Sequence, residues 1–343
     1  MKLVDVNGIR KLIAEMGFPE FFLMLMEYIR QDLKNWPDFQ KKERIGFYLE
    51  DGIIELMPIA AKDFFSNKFV CTHPNNHHKS KYGVMALGLW VDTHSGEPLL
   101  LSEMTFLTAL RTATVSVMVS LMMAPMHAKK FAIIGCGAQS HFQVLAHHIF
   151  LNINEVRCFD IRQNAVQRLI EEMAAFGIKV KPCDSAWQAA KNADIITTAT
   201  NSLRLHPLLD ASILHPHLHI NAIGGDAPGY SELDPNILHQ VDRIAVEYLA
   251  QTKIEGEIQQ IPYPMIQEKV VEVYELVNGS KKARERDDEI TLFDSVGFAL
   301  FDYSTLRLLS DLCQKYDIAQ EINVLPEYDV NKSLFRQLID GKI

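Results

Sequence analysis

The chain has 343 residues, 48% of them hydrophobic and 22% charged, with a formal net charge of −9. That length suggests two domains with separate cores, and an acidic balance without a Lys/Arg block argues against nucleic acid or an anionic membrane surface as partner. Five scattered cysteines, Cys71, Cys136, Cys158, Cys183 and Cys313, form no C-x-x-C pair, so no zinc or other metal site is expected from them and reduced, cytoplasmic thiols fit.

The amino-terminal MKLVDVNGIRKLI lacks the continuous apolar core of a signal peptide. Residues 1 to about 50 carry helical periodicity in Leu3, Val6, Ile9 and Ile13, and again in FFLMLMEYIRQDL. From IGFYLEDGIIELMPIAA onward the pattern shortens to β-like runs, NKFVCTHP, YGVMALGLWVD and PLLLSEM, with HSGE (His94 to Glu97) composed as a hairpin turn. TFLTALRTATVSVMVSLMM returns to helix. Its apolar end, Ala113 to Met126, is shorter than the roughly 20 residues that span a bilayer and meets Pro125, so it reads as a buried helix. At Lys129 the texture changes. KKFAIIG, EVRCFD, KVKPCD, ADIITTAT, HLHINAIGG and RIAVEY alternate with helical stretches, the mark of a doubly wound parallel sheet. The last apolar-faced helix, in SVGFALFDYSTLRLLSDLCQKY, is expected to pack back onto the first part.

After FAIIG comes GCGAQS, Gly135 to Ser140. In a nucleotide-binding βαβ unit the first glycine allows the tight turn, the second lets backbone N–H groups approach a pyrophosphate, and the third allows close helix packing. Gly135 and Gly137 meet the first two demands, and Ser140 is small enough for the third. The pyrophosphate belongs at the N-terminus of the helix in QSHFQVLAHHIF, where free N–H groups favour an anion. The next strand ends in Asp160, 25 positions after Gly135, where an acid accepts hydrogen bonds from ribose hydroxyls and favours NAD over NADP. Arg162, two residues on, works against that preference.

In INAIGGDAPGYSEL, Asp226 follows a buried strand and two glycines, beyond the carboxyl end where open α/β sheets bind ligands. From the pattern alone a turn aspartate fits as well as a catalytic one. Arg44, Glu55, Lys68 and Arg111 interrupt or border apolar segments. Buried cations need anionic partners; taken singly, each is more often a structural ion pair than a substrate clamp. The histidines of HPNNHH (His73 to His78) and HPHLH (His215 to His219) lack a Cys or carboxylate to complete a metal set.

These residues, with IELMP, KFV, LLSEMT, TALRTA, GCGAQS, DIITTAT, NAIGGDAPG, IEGEIQQ and FDSVGFALFDY, resemble the ornithine cyclodeaminase/mu-crystallin family from about residue 44 to 305. The resemblance implies an α/β class: a Rossmann-type doubly wound parallel sheet domain (129–304) plus an α+β substrate-binding and dimerisation domain (1–128 with 305–343). It implies a homodimer acting on a small amino acid. Arg44, Lys68 and Arg111 would bind its α-carboxylate, Glu55 and Asp226 would be acid and base, and Val296 would line the pocket. Besides Gly135, Gly137 and Ser140, the residues Ala138, Gln139, Asp160, Thr200, Asn221, Ala222, Ile223, Gly224 and Ser295 would contact NAD. Gly83 and Tyr230 stand where that family often has Thr and Lys. The implied reaction is L-ornithine to L-proline and ammonia, through NAD-mediated oxidation, cyclisation and re-reduction. The alternatives are a cyclic-imine reductase or amino-acid dehydrogenase, with net use of NAD(P)H, and a ligand-binding protein that keeps NAD(P) without turnover.

Overall fold

The computed structural model describes residues 1–200, 207–326 and 328–339, without the side chain of His77 in the histidine-rich turn. Among them the chain builds two eight-stranded sheets. In the first, the spatial order is Gln320–Glu321, Lys2–Val4, Pro98–Glu103, Val84–Asp92, Phe64–Thr72, Gly52–Ala60 and Gln40–Lys41, with Ile45–Leu49 also pairing with Gly52–Ala60. All these pairings are antiparallel except that of Lys2–Val4 with Pro98–Glu103. Leu3 therefore lies in a strand and not in the helix that its spacing suggested; three residues are too few to show a period, and edge pairing decides.

Helices Val6–Met16 and Phe18–Lys34 follow. Asp5 caps the first by accepting the Asn7 and Gly8 N–H groups, and Gly17, at φ 79°, separates them. The helix Thr105–Met123 is long and apolar enough to cross a membrane, yet most of it is buried in the protein. It packs on the first sheet at Val84–Asp92 and on the second at His219–Ala222 and Thr291–Asp294. A helix apolar on all sides has to be enclosed, and here both halves of the chain enclose it.

The second sheet is parallel throughout, in the order Val180–Pro182, Glu155–Phe159, Lys130–Ile134, Ile195–Thr198, His219–Ala222, Thr291–Asp294, Arg243–Val246 and Val270–Glu272. The strand order reverses at Lys130–Ile134, which places a switch point between it and Ile195–Thr198. The helix Ala299–Tyr316 then returns to the first sheet, lying against Phe64–Thr72 and Val84–Asp92 and against the helix Phe18–Lys34. The 304/305 boundary expected from the sequence falls inside this one helix.

A buried polar chain joins the halves. Ser120 hydrogen-bonds His147 at 3.1 Å, Asn221 Nδ2 donates to Ser120 Oγ at 3.0 Å, and His219 bonds Asn221 Oδ1 at 3.1 Å and Thr291 Oγ1 at 2.8 Å. Burial lowers the pKa of His147 to about 4 and of His219 to about 3, so both rings are neutral partners.

Candidate active site

The carboxyl edge of the parallel sheet carries the glycine loop. Gly135 has φ 98°, and a Cβ there would stand 2.5 Å from the Ala199 carbonyl oxygen. Only glycine fits that turn. Gly137 faces open space: a Cβ there would find its nearest neighbour, Arg162 Nη2, 4.0 Å away. Ser140 Oγ donates to the Gly137 carbonyl at 2.7 Å, so the third position holds the loop by a hydrogen bond. Ala138 is exposed at the loop, and the buried Gln139 Oε1 finds no hydrogen-bond partner among the described residues. An open glycine face, an orphaned polar atom and a helix N-terminus at Ser140–Leu151 together suit a dinucleotide diphosphate.

Asp160 is 8% exposed, and its carboxylate accepts the Cys136 N–H at 2.7 Å and the Arg162 N–H at 2.8 Å. It therefore anchors the loop as well as standing at the ribose position. Beyond the neighbouring strands, Glu232 accepts the Thr200 N–H at 2.6 Å and the Gly224 N–H at 3.0 Å, tying those two strand ends together. A Cβ at Gly224 would lie 2.4 Å from the Glu232 carboxyl, which accounts for the glycine. Ile223 and Gly224 are half-buried at this edge, whereas Asn221 and Ala222 lie inside the sheet. The Asn221 side chain is committed to the polar chain behind the sheet, so the structure does not bring it to the loop. Ser295 donates to Glu247 at 2.8 Å, and Glu247 also accepts the Val296 N–H at 3.1 Å.

Strand alternation sets the facing wall. Glu55 pairs with Val70 and Met57 with Lys68, which turns Glu55 and Lys68 to the same inner face. Lys68 Nζ donates to Asp302 at 3.0 Å, and Arg111 Nε donates to the same carboxylate at 3.1 Å. The Arg111 Nη groups make no hydrogen bond among the described residues and lie against Gly297, 2.9 and 3.0 Å from where its Cβ would be. Burial, and then Arg111, lower the pKa of Lys68 to about 8, with Asp302 opposing. Free donors on two buried cations form a seat for a carboxylate.

Arg44 sits between the two walls. Its Nη1 donates to Glu55 at 3.1 and 3.2 Å and to the Asp226 carbonyl at 3.3 Å, and its Nη2 donates to the Val296 and Gly297 carbonyls. Glu255 lies 3.2 Å from Nε, within ion-pair reach but without hydrogen-bond alignment. Burial acts against the Arg44 charge, and Glu55, Glu255 and Asp226 outweigh it. Its Nη donors are thus directed at protein, and those left for a substrate anion belong to Arg111 and Lys68.

Asp226 is an exposed residue, yet crowding by protein raises its pKa to about 6, with Arg44 opposing and Glu55 adding. Both statements hold for a group on the wall of a deep cleft. Two broader depressions, about 680 and 490 Å³, lie instead at the amino-terminal edge of the parallel sheet, around Arg157 and Trp187 and around His127 and His215. Neither contains the acids and cations gathered at the glycine edge. Among the described residues, no group of three His, Cys, Asp or Glu is set to hold a metal.

Sequence reasoning missed Glu232, Glu247, Glu255 and Asp302. Asp302 had a signal: it is a lone acid on an apolar helix, the mirror of Arg111. The other three sit in strand ends and turns, where acids are ordinary.

A family model described as ornithine cyclodeaminase/mu-crystallin matches residues 9–316. The chain belongs to that family. This family member is 39% identical over 338 residues to the ornithine cyclodeaminase of Agrobacterium tumefaciens (strain Ach5), covering 98% of this chain and 93% of that protein. It is 31% identical over 288 residues to the alanine dehydrogenase of Archaeoglobus fulgidus, covering 82% and 87%. Among solved structures it resembles an archaeal alanine dehydrogenase dimer with bound NAD, at 28% identity, with 95% and 100% of the chains covered and a TM-score of 0.85. It also resembles Thermococcus litoralis Δ1-pyrroline-2-carboxylate reductase in complex with NADH and L-proline, at 28% identity, 94% and 100% coverage and a TM-score of 0.85.

Proposed function

We propose that this protein is an NAD-dependent ornithine cyclodeaminase of the cytoplasm, serving proline formation and converting L-ornithine to L-proline and ammonia. The observation that carries the reading is Asp226: a carboxyl of raised proton affinity on the cleft wall, beside a carboxylate seat and the nucleotide edge. NAD would lie along Gly135, Gly137, Ala138, Gln139 and Ser140, with Asp160 at the ribose and Thr200, Ile223, Gly224 and Ser295 toward the nicotinamide. When bound, it supplies the oxidising and reducing equivalents at the substrate Cα. Arg111 and Lys68 hold the α-carboxylate, and Arg44 holds the 226 and 296–297 segments against them. Asp226 takes a proton from the substrate amine, leaving a neutral nitrogen able to close the ring. Glu55, fixed by Arg44, returns a proton to the departing ammonia. Val296, buried beside Gly297, helps exclude water from the imine carbon.

The segments 1–128 and the carboxyl-terminal helix form the substrate-binding and dimerisation part, with the changeover at 295–298, before the helix begins. An apolar ladder on the outer face supports a homodimer: Ile45, Leu56, Phe69 and Leu87 lie in register across three pairings of the first sheet. The helix Leu334–Ile339 buries no residue within one chain.

Incubation of the full chain with catalytic NAD and L-ornithine tests the reading. Ammonia and proline should accumulate together, with no net NADH. Asp226→Asn should lower that rate by about 10²–10⁴ and still bind NAD. Net NADH consumption with an imine, or formation with L-alanine, would replace this function by a reductase or dehydrogenase.

A further inference from the structure

Around Arg44 the acids outnumber the cation they share. Glu55 meets one Nη at 3.1 Å, and Glu255 stands 3.2 Å from Nε on the other edge. These three side chains are 5%, 6% and 3% exposed, for Arg44, Glu55 and Glu255. Asp226 adds a third carboxyl to the same surroundings. One guanidinium cannot neutralise three carboxylates away from water, so a proton is driven onto the group.

We propose that Glu255 is a positioning residue for proton transfer at Asp226: it fixes Arg44 from the edge opposite Glu55, and its charge strengthens the base that faces the cleft. The inference rests on Asp226 being that base. Glu255 is buried behind Arg44 and has no part in contacting substrate. Its other hydrogen-bond partner is the uncharged Gln251 Nε2 at 3.4 Å. The charged and titratable groups that face it are Arg44, Glu55, Asp226 and, from the strand Ile45–Leu49, Tyr48, whose phenol is pushed up by burial and then by Glu255 and Glu55.

Burial raises the pKa of Glu255 to about 7, Arg44 opposes, and the charges of Glu55 and Asp226 add to the rise. Repulsion between Glu255 and Asp226 is mutual, so the acids titrate as a coupled set. A base works best when its conjugate acid titrates near the working pH, and removing a neighbouring negative charge would make Asp226 a weaker base. Gly256, at φ 75°, lets the chain turn tightly here: a Cβ would fall 2.4 Å from Asp294 Oδ1, so the acid at 255 is held by a turn only glycine permits.

The test uses the NAD-saturated full chain and Glu255→Gln, which keeps an oxygen near Nε but removes the charge. Titration of the Asp226 carboxyl is read from the infrared difference between each protein and its Asp226→Asn counterpart. The expected result is a downward shift of about one pH unit, with NAD affinity unchanged and the acid limb of kcat/KM moving by the same amount. Glu255→Asp keeps the charge but withdraws it from Nε, so it should retain the raised titration while kcat falls. An unmoved Asp226 titration in folded Glu255→Gln overturns the proposal, as does an equal shift in both variants. Should Glu255→Gln fail to fold, a lost upward shift in Glu255→Asp overturns it and a retained one supports it. The infrared reading needs no turnover, so it stands apart from whether ornithine is the substrate.

Discussion

Asp226 and Lys68 titrate on opposite sides of neutrality, and the proposed chemistry needs one deprotonated and the other charged. Asp226 must lose its proton, held to about 6 by burial, before it can take one from an amine. Lys68 must keep its proton, which burial beside Arg111 weakens to about 8. The profile of kcat/KM for ammonia release should therefore rise through about pH 6 and fall past about pH 8. Lys68→Arg should remove the alkaline limb, because a guanidinium does not titrate there. A parent profile that is flat across this window would separate these two groups from the rate. Both residues were legible in the sequence as charges in apolar company. Their pKa shifts were not, because desolvation depends on what packs around a side chain.

Among the elements, the glycine loop was the most legible, since its demands are local. Two neighbouring glycines should respond differently. Gly135→Ala sets a methyl against the Ala199 carbonyl in a left-handed turn, and should cost about 1–3 kcal/mol in urea unfolding. Gly137→Ala meets only open space, so its stability should match the parent while NAD affinity, read by fluorescence titration, falls. Parent-like NAD binding by Gly137→Ala would remove that glycine from the diphosphate site. The strands Val270–Glu272 and Thr291–Asp294 were not read from the sequence. Three or four residues carry too little pattern, and Thr291–Asp294 runs directly into the apolar block before the last helix.

At the scale of the whole molecule, the first sheet leaves large apolar groups in water: Ile45 is 49% exposed, Phe69 37% and Leu87 49%. Such a ladder marks an association surface, and a two-fold partner would cover it with its own copy. Phe69→Asp with Leu87→Asp should convert a dimer into a folded monomer in sedimentation; an unchanged sedimentation coefficient would place the interface elsewhere. The sequence by itself determined the nucleotide loop, the alternating strand and helix texture, and which residues were charges in need of partners. These follow from backbone sterics and periodicity over a few neighbouring residues. Only the tertiary structure decided the partners: Lys68 meets Asp302 across 234 positions and Arg111 meets it across 191. It also turned Arg44 toward five protein acceptors and buried Asn221 behind the sheet. Pairings that distant are set by how two sheets enclose a shared helix, and no local pattern records that.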